Sequence, residues 1–463
     1  MTKRGSSLGI IAGTPGRQGR RAPLMRAVPL GLAAGLLLAG CAEREVQLVG
    51  EREDLRSVFS QQVPGDIPVE PVNQVLPVAL PAVTANAAWT QGWGTPSTRT
   101  AHPALGAAPQ LVWQANIGEG NGRKVHITSD PVVAEGRVFT LDATGHVFAT
   151  STAGATLWQA DLVPAQDRKG EASGGGIAYG AGRVFATTGF GELTALDPET
   201  GAVIWQQKLL APATGAPTVY GDLVYVTAGE SQAWALDVTN GRVRWQLSAT
   251  PDVSNFAGAP SPAVTDQYAL FGFGSGEVQA AFRQGGLGVW STLVTGRRQG
   301  FARANINDIT GDPVVVGDRV YAGNQSGRMV ALGLSTGERI WTADEGPMGP
   351  AWVAGDAVFI VTDRNQLVRL DAGTGARIWG VDLPFFQKSK PRKQEAVFAH
   401  FGPVLAGGRL VVASSDGLLR FFDPASGDLT GSAALPAGAA SAPVVAGGVL
   451  YVLNKKGQLL AYR

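Results

Sequence analysis

The chain has 463 residues and a formal net charge of only +1, because 38 lysines and arginines balance 37 aspartates and glutamates. A balance this even provides no basic field for a phosphate backbone, which argues against a nucleic-acid-binding protein. The one cysteine excludes an internal disulfide, a zinc site made of cysteines and a cysteine-held iron–sulfur cluster. We therefore expect a fold held by packing alone, with no cofactor.

The first 40 residues have the pattern of an export signal. Basic residues up to Arg26 precede the apolar run 27–40, which is shorter than the ~20 residues of a membrane-spanning helix. We expect residues 1–40 to be a signal peptide, with Met25 as an alternative start. Residues 38–41, Leu-Ala-Gly-Cys, resemble the bacterial lipobox, and this resemblance implies that Cys41 is acylated.

Residues 41–100 are predicted to be an extended, lipidated tether. Residues 43–54 are rich in charge, and five prolines between Pro64 and Pro81 punctuate a stretch without strand periodicity. Alanine rather than aspartate follows the cysteine, which by resemblance to the enterobacterial sorting rule favours the outer membrane. The expected location is therefore the periplasmic face of the outer membrane, with a lipid anchor.

Residues 101–463 contain a repeated phrase, and its best copy is residues 195–205, ALDPETGAVIW. Other copies end at tryptophans spaced 38 to 51 residues apart, the span of four short strands. In the copy that starts at Phe421, Gly431 stands where the tryptophan is expected. These copies end at Trp158, Trp245, Trp290, Trp341 and Trp379.

The repeats predict an all-β fold, an eight-bladed β-propeller of four-stranded antiparallel blades. Stretches such as residues 224–227 and 358–361 are β-branched or aromatic and follow Gly-Asp turns. The last repeat ends at Arg463 without a tryptophan strand, whereas residues 111–113, Leu-Val-Trp, form such a strand without a blade. We expect this N-terminal strand to complete the last blade and close the ring, which removes an exposed edge.

The repeat Ala-x-Asp-x-x-Thr-Gly-x-x-x-Trp resembles the tryptophan-docking motif of quinoprotein propellers. Together with the lipobox and the eight blades, it makes residues 25–463 similar to the BamB family, the propeller lipoproteins of the outer-membrane β-barrel assembly machinery. The resemblance implies a non-catalytic scaffold that binds the POTRA domains of the central insertase and supports insertion of outer-membrane proteins. Nascent outer-membrane proteins are a second expected partner.

Two segments that interrupt the repeat, residues 250–258 and 296–311, are the predicted binding site. The resemblance implies that adjacent loops at these junctions contact the insertase, through an apolar and basic cluster in the first and an acidic pair in the second. Ala257 and Thr310 depart from the basic and one acidic position. Ordinary variable loops are the alternative interpretation. The predicted partner-binding residues are Asn255, Phe256, Arg303, Asp308 and Thr310.

Two other functions remain open at this stage. A pyrroloquinoline-quinone alcohol dehydrogenase has the same scaffold, but such enzymes typically use a vicinal disulfide, which a chain with one cysteine cannot form. Carboxylates at blade turns are the oxygen ligands that this chain would offer to the calcium ion of such an enzyme. A periplasmic ligand-binding propeller is the third class. The four histidines show no metal-binding spacing, so neither a metal site nor a catalytic residue is predicted. The aromatic and basic segment 384–393 is either a membrane- or partner-facing loop or a solvated charge run.

Overall fold

The computed structural model describes residues 72–463 except 93, 99–101, 230, 253–258, 297 and 299–305. The described residues pair into eight four-stranded antiparallel sheets, which confirms the predicted eight-bladed propeller. One short 3-10 helix, Pro391–Lys393, is the helical element of this part of the chain. No helix within it is long and apolar enough to cross a membrane.

The strands follow one another blade by blade, and strand lengths are two to seven residues. Blades 1 to 4 are β2 (Val132–Ala134), β3 (Arg137–Leu141), β4 (His146–Ser151), β5 (Thr156–Asp161); β6 (Gly175–Gly180), β7 (Arg183–Thr188), β8 (Glu192–Leu196), β9 (Val203–Lys208); β10 (Thr218–Tyr220), β11 (Leu223–Ala228), β12 (Gln232–Asp237), β13 (Val243–Ser248); and β14 (Ala263–Val264), β15 (Tyr268–Gly272), β16 (Glu277–Phe282), β17 (Gly288–Leu293). Blades 5 to 8 are β18 (Gly311–Val316), β19 (Arg319–Asn324), β20 (Arg328–Gly333), β21 (Arg339–Ala343); β22 (Trp352–Ala354), β23 (Ala357–Val361), β24 (Gln366–Asp371), β25 (Arg377–Asp382); β26 (His400–Ala406), β27 (Arg409–Ser414), β28 (Leu418–Phe422), β29 (Leu429–Ala434); and β30 (Val444–Ala446), β31 (Val449–Leu453), β32 (Gln458–Tyr462) with β1 (Leu111–Asn116).

The ring closes through both ends of the propeller. β1 pairs antiparallel with β32, from Leu111 opposite Tyr462 to Asn116 opposite Gln458. The last blade therefore has the order β1-β32-β31-β30, as the unmatched tryptophan strand predicted. This pairing supplies the fourth strand that the C-terminal repeat lacks.

Neighbouring blades are joined by the repeated tryptophan. The Trp205 indole N–H donates to the carbonyl of Val238, 3.0 Å away, in the turn between the third and fourth strands of the next blade. Gly241 in that turn has φ 71°, and a Cβ added there would lie 2.6 Å from the Trp205 ring. The turn needs glycine for both reasons. Equivalent bonds join Trp113 to Thr152, Trp158 to Pro198, Trp245 to Arg283, Trp290 to Leu334, Trp341 to Ala372 and Trp379 to Pro424.

The missing eighth tryptophan has a structural reason. Gly431 lies on β29, and the neighbouring blade draws its third and fourth strands from opposite ends of the chain. No tight turn joins β32 to β1, so an indole on β29 would have no such turn to dock on. The Tyr462 hydroxyl instead donates to the Ala434 carbonyl at 2.8 Å and links these two blades.

Backbone bonds show which turns share a face of the ring. Val238 N–H donates to the Asp222 carbonyl at 3.0 Å, joining the turn after β12 to the turn after β10. We call this side, formed by the turns after each first and third strand, the plug face. Leu209 N–H donates to the Gly191 carbonyl at 2.8 Å, joining an inter-blade loop to the turn after β7. This opposite side, with all inter-blade loops, is the loop face.

An N-terminal arm, the described residues between 72 and 105, crosses the plug face. Trp89 is fully buried and pairs through both backbone groups with Val133 at 2.8 Å. The Gln91 amide donates to and accepts from the Val219 backbone at 3.0 and 2.9 Å. Hydrogen bonds join the arm to every blade, at Val133, Tyr179, Val219, Val264, Val315, Asp356, Gly407 and Gly447.

The arm corrects the predicted boundary at residue 100. The described residues between 72 and 98 were expected to be part of an extended tether, but they pack on the propeller because its innermost strands offer them unpaired backbone groups. Residues 1–71, with the predicted signal peptide, Cys41 and the first part of the tether, lie outside the described residues. Their assignments stay predictions.

Candidate partner-binding face

The two loops predicted to bind a partner are neighbours on the loop face. The first follows β13, and the second joins β17 to β18. The Asn307 side-chain amide of the second loop donates to the Asp252 carboxylate of the first at 3.3 Å. The structure therefore brings together segments that are about 50 residues apart in sequence, as neighbouring blades of a propeller allow.

Three of the five predicted partner-binding residues, Asn255, Phe256 and Arg303, lie outside the described residues. Asp308 is described and only 7% exposed, and Thr310 donates from its hydroxyl to the Pro347 carbonyl at 2.7 Å. Asp308 is therefore largely shielded from solvent, unlike a residue at the surface of a binding loop, because the chain turns into the blade at this point. Its role in partner binding stays a prediction.

Contacts with blades 4 and 5 hold the end of the second loop in place. Ile309 is 1% exposed and its N–H donates to the Phe273 carbonyl of blade 4 at 3.3 Å. The Gln325 amide of blade 5 donates to the Ile306 carbonyl at 3.2 Å. Residues 306–310 are thus held by contacts with two blades.

A buried ion pair holds the beginning of the same loop. Arg298 donates from Nε and Nη2 to the two carboxylate oxygens of Asp363 at 2.9 and 3.1 Å, with both side chains nearly buried. Its Nη2 also donates to the Asp344 carbonyl at 3.0 Å. This contact fastens the loop to blade 6, and a paired guanidinium and carboxylate can be buried in this geometry. No pattern in the sequence singles out Arg298.

A carboxylate also fixes the start of the first loop. Glu277 accepts from the Thr250 N–H at 3.3 Å and from the Gln279 amide at 3.0 Å. Burial alone raises the pKa of Glu277, but hydrogen bonds led by that from Ser291 outweigh burial and lower its pKa. The carboxylate thus stays charged and keeps its donors in place.

A second buried pair joins Glu345, in the loop between blades 5 and 6, to Arg377 on β25. Glu345 accepts from Arg377 Nη1 at 3.1 Å, and both side chains are about one-tenth exposed. Burial nevertheless raises the pKa of Glu345 despite the attraction of Arg377. With Arg298 and Asp363, this pair makes the floor of the loop face polar, and Glu345 Oε2 and Arg377 Nε are buried there without a hydrogen-bond partner.

The axis of the ring contains a cavity of about 200 Å³ that opens among the inter-blade loops, with Gly92 of the arm in its lining. Two of its carboxylates tie blades together: Asp130 accepts from Ala442 N–H at 2.7 Å, and Asp312 accepts from Ser261 N–H at 3.0 Å. Among the described residues, no group of three His, Cys, Asp or Glu side chains is arranged to hold a metal ion.

Comparison with known proteins identifies the family. The family model described as outer membrane protein assembly factor BamB matches residues 143–381 and 385–463. The chain belongs to the BamB family. The BamB of Yersinia pestis is 25% identical over 362 residues, 77% of this chain and 89% of that protein. The BamB of Moranella endobia is 26% identical over 245 residues, and the match spans 63% of its length.

Solved structures show the same fold. The crystal structure of BamB from Moraxella catarrhalis aligns with a TM-score of 0.63 at 19% identity, covering 77% of this chain and all of that one. A quinohemoprotein alcohol dehydrogenase from Comamonas testosteroni aligns with the same TM-score at 15% identity, covering 81% of this chain and 80% of that one. At these identities the likeness is one of fold, which BamB proteins and quinone enzymes share.

Proposed function

We propose that this BamB-family protein is a non-catalytic scaffold lipoprotein of the outer-membrane β-barrel assembly complex. Acylation of Cys41 holds it at the periplasmic face of the outer membrane. The loops 250–258 and 296–311 bind POTRA domains of the central insertase and so support insertion of outer-membrane proteins. Family membership and the names of the relatives support this role.

One observation carries the choice of surface, namely the contact between Asn307 and Asp252 that joins the two loops. Binding surfaces gain affinity when they are ordered before the partner arrives, because less conformational entropy is lost. The ion pair of Arg298 with Asp363 and the buried Ile309 supply that order. Extended nascent strands are a second class of ligand for the same face, through backbone hydrogen bonds.

The test is capture of the insertase from detergent-solubilised envelopes by the tagged, lipidated protein. Phe256→Ala combined with Arg303→Glu is expected to weaken capture about 30-fold, the effect of removing ~2 kcal/mol at an interface hot spot. Asp308→Asn tests the carboxylate separately, since it removes the charge and keeps the shape of a nearly buried side chain. Circular dichroism shows whether each variant stays folded.

Phe282→Ala is the matched control. Phe282 ends β16 in blade 4, is 44% exposed and lies towards the plug face, so its loss should leave capture unchanged. Equal capture by wild type and by the Phe256 variant would show that the loops are not the binding site. Quinone-dependent dye reduction by a wild-type protein that captures no assembly component would favour the dehydrogenase instead.

A further inference from the structure

The segment between β25 and β26 forms a hairpin that projects from the loop face. Phe386 and Val397 pair across it, Gln387 N–H donates to the Ala396 carbonyl at 2.9 Å, and Phe398 N–H donates to the Phe385 carbonyl at 2.8 Å. The 3-10 helix Pro391–Lys393 forms its tip. Residues 384–398 are therefore an ordered element, which we call the basic hairpin.

The base of the basic hairpin is locked to blades 6 and 7. The Asn365 amide donates to the carbonyls of Pro384 and Phe398 at 3.2 and 2.9 Å. His400 Nε2 lies 2.8 Å from the Pro384 carbonyl, while its Nδ1 lies 2.7 Å from the Ser414 hydroxyl. Both strands of the hairpin are thus held at their roots, and the tip has a fixed direction.

The tip combines exposed cations with exposed apolar side chains. Lys388, Lys390, Arg392 and Lys393 are all exposed, and Glu395 is the one carboxylate of the hairpin, which leaves a net charge of +3. Phe386 and Val397 are 40% and 41% exposed, and the Phe386 ring lies 4.6 Å from that of Phe385. Aromatic rings beside lysine and arginine fit the headgroup region of an anionic bilayer.

The start of the described arm, to which the proposed lipid anchor is connected, is bonded to blade 6, the blade from which the basic hairpin extends. Asn73 exchanges two side-chain hydrogen bonds with the backbone of Gly380 on β25, at 3.0 and 2.9 Å, and Gln74 N–H donates to the Ile378 carbonyl at 2.9 Å. β25 is the strand that leads into the basic hairpin. Thirty residues separate Val72 from Cys41, a reach of at most about 100 Å.

We propose that the basic hairpin docks on anionic phospholipid headgroups of the membrane that holds the lipid anchor, and thereby fixes the orientation of the propeller. This inference rests on the proposed acylation of Cys41. Each cation near an anionic surface favours contact roughly fivefold, so a net charge of three gives about 100-fold. Such a preference is weak for a protein that is free in solution, but it is sufficient for a protein that a lipid tether already keeps close to the membrane.

The probe is a fluorophore at the hairpin tip. The chain has one cysteine, Cys41, so Ser389→Cys adds the one thiol available for labelling in the acylated protein. In vesicles of phosphatidylcholine with phosphatidylglycerol, we expect a blue shift and quenching by lipid-borne quenchers. Both should be lost with phosphatidylcholine alone and weakened by salt, since charges are screened beyond about 8 Å at physiological ionic strength.

Lys390→Glu with Arg392→Glu should reduce the docked fraction strongly. The matched control is Arg123→Glu with Lys124→Glu, an exposed lysine and arginine pair on another inter-blade loop, which should change nothing at the tip. Quenching that is independent of phosphatidylglycerol, or that appears only when envelope proteins are added, would overturn the proposal. Capture of the insertase and association of the protein with vesicles are measured separately. A failure of the proposed function or of the lipid anchor can therefore be distinguished from a failure of hairpin docking.

Discussion

Gly241→Ala tests the joint between blades 2 and 3. Gly241 has φ 71°, where a side chain costs about 1–2 kcal/mol. Its new Cβ would lie 2.6 Å from the Trp205 ring, and such overpacking adds about 1–3 kcal/mol. We expect the free energy of unfolding to fall by about 2–5 kcal/mol, measured by urea denaturation followed by tryptophan fluorescence and circular dichroism.

Gly317→Ala separates the two costs. Gly317 has φ 62° but nothing within 4 Å of an added Cβ, so only the backbone cost of about 1–2 kcal/mol applies. If both variants lost the same stability, the contact between the turn and the indole would contribute nothing to the joint. The tryptophan repeat would then need another explanation.

Two further predictions concern the arm and the hairpin base. Trp89→Ala should lower the free energy of unfolding by about 3–5 kcal/mol, because a fully buried indole is replaced by a cavity; a loss below ~1 kcal/mol in urea denaturation would show that the arm adds little to the core. Burial lowers the pKa of His400 despite its contact with Pro384 and the charge of Asp416, so the unfolded state binds the extra proton and stability falls as the pH drops below about 6.5. His400→Gln should remove this contribution to the pH dependence, so the difference in unfolding free energy between wild type and variant should change between pH 8 and 5, about the range in which histidine titrates. A difference that is the same at both pH values would contradict the prediction.

The ring was predictable because its determinants are local and repeated. The turn glycine and the tryptophan of one copy lie a few residues apart, as Gly201 and Trp205 do, and the copies repeat the same order of strands and turns. Closure of the ring was predictable because the first and last copies of the repeat are both incomplete and complete one another. Even the missing tryptophan at Gly431 has a cause that the repeat contained, since the last blade has no turn between its third and fourth strands.

The arm was not predictable from periodicity. Its contacts are isolated hydrogen bonds to distant residues, such as the bond of Asn86 to Val445 and the two bonds between Asn73 and Gly380, more than 300 positions away. Trp89, in a segment of prolines and small residues, was an available signal, because a large aromatic side chain favours burial. For Asp308, the apolar Ile309 beside it could have indicated that the loop was already turning inward.

The two faces differ in how freely their loops can lengthen. On the plug face, indoles cover the turns between third and fourth strands, as Trp205 covers Gly241, and the arm is bonded to all eight blades. An insertion there would displace a buried ring or break a backbone pair. On the loop face, the connection after β25 extends as the basic hairpin while its root stays bonded through Asn365, and the end of the connection after β17 is held through Ile309. The packing that holds the plug face together therefore leaves the loop face as the side on which connections can lengthen, which supports the proposed placement of the binding loops there.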